Sequence, residues 1–393
     1  MLLANIIISL LSLELVTGQN RCSQANIKTR KNILNLTSSE LKKWLDVTKK
    51  FSKTKRFNEL SKIHNDNNEY IHGTELFLPW HRKFLATYEA ELLKIDSSVV
   101  MPFIDWTTYS SKPHQHPVLQ DNMYGGNGNK NNNWCLDSGT FARTNVTTPN
   151  PKCLQRRYDQ NDNTELSSFS SKEDVQSSID GNDKYSDFRS SIQGNIHNSP
   201  HYYIGNEDFD MAQLYSPNDP LFYLHHAFID NMWFQWQSKK ESRFDEYNTN
   251  SGEVSKNDKL VALSGKVGDV LDPRKGLCYK YDSWGTGESM QRSLEKSLAM
   301  SNNKTEFSTN QQLSLWDKVK AIQFDKEADK IPNIGKPASR SSKCLIPKPG
   351  KLSREFLGMM NIDYAEYEKN RIMSVKVIDM LNADPEYEPA EGC

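Results

Sequence analysis

The stretch SPNDPLFYLHHAFIDNMWFQWQ (216–237) decides the reading of this chain. Asn218 or Asp219 can cap a helix that Pro220 opens, because a proline loses nothing in the first helical turn. From there Phe222, His226, Ile229 and Trp233 recur at helical spacing and predict a stripe that faces a core. A histidine on such a stripe is buried, and a buried imidazole needs a partner for each ring nitrogen. Asp230, one turn after His226, is the expected acceptor for that ring's second N–H. His225 projects about 100° away around the helix, so it is expected beside or behind the site and not as a ligand.

Two further segments carry histidines in the same way. In NIHNSPHYYIG (195–205), His197 and His201 are four apart, so on a helix they share one face and can grip one ion. Asn198, not a glutamate, follows His197, so the zinc-protease HExxH pattern is not met. In FNELSKIHNDNNEYIHGTELFLPWHRKFLATYEAELLK (57–94), Pro79 suits the first turn of a helix with Trp80, Phe84, Tyr88 and Leu92 on its core face. His81 lies beside that face and points inward. His72 sits in a glycine-containing loop, and His64 ends the preceding helical segment. Of the nine histidines, six fall into these two groups of three. Neither group holds a cysteine or carboxylate among its ligands, which suits copper better than iron's two-histidine–carboxylate arrangement or hard cations. His114 and His116, in PHQHP, are expected on the surface.

The rest of the chain frames these segments. Residues 32–63 read as helical, with Thr37 or Ser38 as cap and Leu41, Trp44, Leu45 and Val47 at helix spacing. Residues 107–195 are rich in Asn, Ser, Gly and Asp and read as a long surface excursion. The composition turns polar at 286–310, which marks a boundary before a C-terminal extension (286–393). The fold class is therefore mainly α, with long irregular loops. The apolar run Leu2–Leu13 followed by Val16-Thr17-Gly18 predicts a cleaved signal peptide over 1–18, because the run is shorter than the roughly 20 residues a membrane span needs. Six cysteines without CxxC spacing, and sequons at Asn35, Asn145 and Asn303, agree with secretion. The balance of 49 Lys+Arg against 50 Asp+Glu argues against a nucleic-acid partner or a polybasic membrane surface.

With these residues in place the sequence resembles the tyrosinase family of dinuclear copper proteins. HGTELFLPWHRKFL (72–85) is similar to the family's first copper motif, and HNSPH with SPNDPLFYLHHAFIDNMW to its second. There the second histidine of the pair is the ligand, which implies His226 over His225. MPFIDWT (101–107) and CYKYD (278–282) are similar to two further family elements, the latter closing the catalytic domain. GTFA (139–142), CLQR (153–156) and the segment 351–372 resemble the secreted invertebrate branch.

The resemblance implies a four-helix bundle within residues 19–285 that holds two copper ions on His64, His72, His81, His197, His201 and His226. It implies the use of dioxygen to oxidise phenols or catechols, such as tyrosine, DOPA or protein-bound tyrosine, to o-quinones. Hemocyanin-like oxygen binding and a redox-silent matrix protein are the other classes within reach. Two departures stand out. Tyr70 occupies the place where some relatives carry a cysteine that crosslinks to the second ligand. Gln193 takes the place of a glutamate that, with an asparagine matched by Asn198, is thought to hold a water that deprotonates monophenols. A neutral amide can orient water but cannot take its proton, so catechol oxidation without monophenol hydroxylation is the alternative activity.

Overall fold

Thr37 caps helix α1 (Ser38–Phe51) in a capping box with Glu40. The helical pattern over 32–63 does not continue as one rod: Thr54 accepts from the Phe57 amide and starts a second helix, α2 (Lys55–Asp66). A short turn, α3 (Asn68–Ile71), leads to α4 (Phe77–Ile95), with Pro79 in its first turn. Trp80, Phe84, Tyr88 and Leu92 of α4 are all buried, as their spacing predicts. Helices α5 (Lys172–Asp180), α6 (Tyr185–Ser191) and α7 (His197–Gly205) follow the long intervening segment. Helix α8 (Leu221–Ser238) is buried around nearly its whole circumference and runs through the core. Asp219, not Asn218, supplies its side-chain acceptor, 3.0 Å from the Leu221 amide. The computed structural model describes residues 22–23, 26–249, 254–282, 354–359 and 363–383. The leader, the boundary at 286–310, Asn303, Cys344 and Cys393 lie outside the described residues. No described helix is long and apolar enough to cross a membrane.

Strands contribute little among the described residues. β1 (Lys28–Arg30) pairs in parallel with β4 (Tyr279–Tyr281), which follows the single turn α9 (Pro273–Gly276), and Cys22–Cys278 closes the same end. β2 (Asn145–Val146) pairs with β3 (Lys152–Cys153), and Cys135–Cys153 ties this hairpin to the segment before it. Among the described residues the extension contributes helices α10 (Arg354–Met359) and α11 (Tyr364–Ala383). Asn35 and Asn145 are both exposed.

Two expectations are corrected. The polar segment 107–195 is anchored to the body and is not a free excursion. Val118, Leu119, Tyr124, Phe141 and Leu154 are buried, and the Arg156 guanidinium holds both oxygens of Asp219 at 2.6 and 2.8 Å with neither side chain exposed. A few apolar anchors and one bidentate pair outweigh a polar majority. His116 is likewise buried: the two prolines make tight turns that fold its ring against Trp106 and Tyr109, and its Nδ1 accepts from the Val118 amide at 3.1 Å. His114 is half-buried and accepts from the Leu166 amide.

Helices α4 and α8 are fixed to each other by a buried charge cluster. Asp230 accepts from Arg82 Nε at 2.6 Å and from the hydroxyls of Tyr279 and Tyr281 at 2.6 and 2.7 Å. Arg30 lies over the Tyr279 ring, 3.5 Å from its centroid, and pairs with Glu89 at 2.6 Å. One strand pair thus clamps both long helices at the turn next to their histidines.

Candidate metal centre

Four helices and one loop deliver six imidazoles to one place. His64 comes from the last turn of α2, His72 from the loop after α3, and His81 from the first turns of α4. His197 and His201 share one face of α7, and His226 lies on α8. Gly73, with φ of +67°, lets the chain turn straight after His72, a conformation L side chains avoid. Before α7 the chain takes one π-turn, Ile192–Ile196. There the His197 amide bonds the Gly194 and Ile192 carbonyls.

The rings form two triads in contact. Ring centroids of His64, His72 and His81 are 5.0 to 5.4 Å apart. Those of His197, His201 and His226 are 4.7 to 5.3 Å apart. Across the seam His81 stacks on His226 at 4.4 Å, and His72 stands 6.1 Å from His197. All six are buried. Within each group the candidate ligand atoms lie within 4.8 Å of one another.

Hydrogen bonding shows what this arrangement is built to hold. His64 Nδ1 donates to the Leu214 carbonyl at 2.6 Å and His81 Nδ1 to the Phe77 carbonyl at 2.7 Å. Both Nε2 atoms are therefore bare lone pairs, and they face each other at 3.3 Å. On the other side His201 Nδ1 donates to the Met211 carbonyl and His197 Nδ1 to Asn198 Oδ1, each at 2.8 Å. Their Nε2 atoms point at His226 Nε2 from 3.1 and 3.4 Å. Converging lone pairs repel one another, and a cation between them removes the conflict. Two groups of neutral nitrogen donors, free of carboxylates, fit copper. Burial keeps the rings neutral: it pulls His64 down to about 3 and His201 to about 4, and depresses His72, His81, His197 and His226 well below the usual imidazole range.

His225 belongs to the second group by distance but not by valence. Its Nδ1 accepts from Trp106 Nε1 at 3.2 Å and its Nε2 donates to the His197 carbonyl at 3.0 Å, so both nitrogens are used. It props the backbone carbonyl of His197. Asp230 departs from expectation: its oxygens serve Arg82, Tyr279 and Tyr281, while His226 Nδ1 has no hydrogen-bond partner. A carboxylate one turn away along a helix is drawn to the stronger donors, two of them on the segment after Cys278. Phe222 stacks on His226 at 4.1 Å and meets His64 edge-on at 5.1 Å, so it touches both triads. Phe77 does the same from α4, 4.9 Å from His81 and 4.8 Å from His197. Sequence reading missed Phe77; its spacing of one helical turn before His81 was the available signal. The Leu214 and Met211 carbonyls were beyond reach, because a backbone oxygen carries no sequence identity. Tyr70 is exposed. Gln193 and Asn198 are both buried.

Comparison with known proteins adds an independent line. The family described as "common central domain of tyrosinase" matches residues 54–239. A "tyrosinase" of Streptomyces antibioticus is 30% identical over 239 residues, covering 54% of this chain and 84% of the relative. A second, from Streptomyces lincolnensis, is 32% identical over 231 residues, covering 53% and 82%. Among solved structures, a polyphenol oxidase from Thermothelomyces thermophila superposes with a TM-score of 0.57 at 21% identity, covering 67% of this chain and 91% of that one.

Proposed function

This chain belongs to the tyrosinase family, and from that premise we propose that it is a secreted oxidase that turns over catechols faster than monophenols. The family's chemistry is copper-dependent oxidation of phenols by dioxygen, with two copper ions as cofactor. When bound, copper would carry the electrons: two catechols give up four electrons and four protons to become two o-quinones, and one dioxygen is reduced to two waters.

The protein's own residues do the rest. His64, His72 and His81 hold one ion, and His197, His201 and His226 the other. The opposed bare nitrogens of His64 and His81, 3.3 Å apart, are the observation that carries this reading. Carbonyls of Leu214, Phe77 and Met211 and the Asn198 amide fix the ring tautomers, which keeps Nε2 turned inward. Phe77 and Phe222 wall the seam with apolar surface and exclude water from it. Helices α2, α4, α7 and α8 make up the bundle around the pair. Gln193 offers no proton acceptor of carboxylate strength, which supports weak hydroxylation of monophenols. The catalytic domain is assigned to 19–285. The leader, the sequons and the likeness of GTFA and CLQR to the secreted invertebrate branch support an extracellular enzyme acting on small phenols or protein-bound tyrosine.

Copper-loaded protein assayed by oxygen uptake tests this reading. Turnover of DOPA is expected to exceed that of tyrosine by roughly a hundredfold or more, the usual range for losing a general base. Two bound coppers with no oxidation of either compound would contradict it.

A further inference from the structure

Beside the second triad lies a chain of polar groups that the metal centre does not use. Arg189 Nη1 donates to Gln193 Oε1 at 3.3 Å, and Arg189 Nη2 to Glu75 Oε1 at 3.3 Å. Glu75 is held in turn: its Oε1 accepts from Thr249 Oγ1 at 2.9 Å, and its backbone carbonyl from the Tyr185 hydroxyl at 2.5 Å. Glu75 stands three residues after His72 and Gln193 four before His197, so the chain bridges the loop of one triad and the helix of the other. The Gln193 side chain is 5% exposed, and its Nε2 is buried without a hydrogen-bond partner. An amide oxygen gripped by a guanidinium cannot turn away, because the guanidinium has only donors to offer. The end left over is therefore an N–H donor that meets no acceptor within the protein.

We propose that Gln193 donates a hydrogen bond to the oxygen of the bound phenolic substrate, and that Arg189 is the positioning residue that locks the amide in that sense. This rests on the phenol-oxidase reading above and names the substrate form it selects. A donor gains most from an oxygen anion, so the site favours a substrate whose oxygen is already ionised, as a catechol's is more readily than a monophenol's. Glu75 keeps Arg189 turned toward Gln193 by taking its second nitrogen.

The probe is 4-nitrocatechol, whose colour reports its ionisation, bound to the copper-loaded protein under nitrogen. Gln193→Leu is expected to bind it roughly tenfold more weakly, as for a lost hydrogen bond to a charged group, and with a smaller ionised fraction. Gln193→Met supplies the same reading if Leu is not tolerated. Arg189→Met is expected to weaken binding several-fold in the parent protein and not at all in the Gln193→Leu background, which a merely structural arginine would not do. Unchanged affinity and colour in both Gln193 variants, or an equal Arg189 effect in both backgrounds, overturns the proposal. Oxidation of DOPA by the parent separates the two claims. If the parent binds and oxidises catechols while the Gln193 variants match it, only the donor assignment fails. If the parent with two coppers does neither, the phenol-oxidase reading fails and the donor assignment with it.

Discussion

The two triads solve the same problem with different scaffolding. In the second, His197 and His201 share one helix and His226 faces them from another, so regular backbone spaces all three. In the first, the three rings come from a helix end, a loop and a second helix, and His72 depends on the turn at Gly73. Each triad has two rings fixed through Nδ1 and one, His72 or His226, whose Nδ1 has no partner. The difference teaches that ring placement is inherited from helix geometry on one side and from a loop conformation on the other. The Asp230 cluster, which joins α4 to α8, keeps the two in register.

Removing a ligand is the largest way to break the comparison. His81→Ala and His226→Ala should each lower catechol turnover by at least about a thousandfold and remove copper from one triad only, read by metal analysis. Acid should act on both triads at once. The unfolded histidines take up protons below about 6.5, whereas the folded rings resist down to about 4 at His201 and about 3 at His64. Stability of the copper-free protein is therefore full above 6.5 and is lost as pH falls through that window, by about 1.4 kcal/mol per pH unit for each ring. Urea titrations at several pH values check the slope.

Asp230→Ala leaves Arg82 buried without its carboxylate and should cost about 3–5 kcal/mol, loosening both triads together. By contrast Gly73→Ala strains only the loop side. The expected loss is about 1–2 kcal/mol, with weaker copper at the first triad and none lost at the second. Equal losses at both sites would erase the distinction between loop and helix. The smallest effect sharpens the second triad alone. Gln193→Glu places a carboxylate against Arg189, where an ion pair keeps it a poor base. The ratio of tyrosine to DOPA turnover should rise less in that variant than in Gln193→Glu with Arg189→Gln.

Legibility in the sequence follows the kind of interaction. Periodic apolar residues around His81 and His226 placed both rings in the core, because burial is written in side-chain identity. The four-residue spacing of His197 and His201 was enough to put them on one face. Asp230 was misjudged: position along a helix does not reveal that Arg82, Tyr279 and Tyr281 compete for it. The burial of His116 was hidden by polar neighbours, since turns between prolines can fold a ring inward. The acceptors at Leu214 and Met211 are carbonyls and have no sequence signature. Pairing of Cys22 with Cys278, across 256 residues, needed coordinates.

The central claim is that the six rings hold a pair of coppers. Metal analysis of the purified, copper-reconstituted chain tests it directly. Two tightly held coppers per chain, falling to one in His81→Ala and to one in His226→Ala, is the predicted result. A single copper unaffected by one of these substitutions, or a preference for zinc with no copper retained, would contradict it.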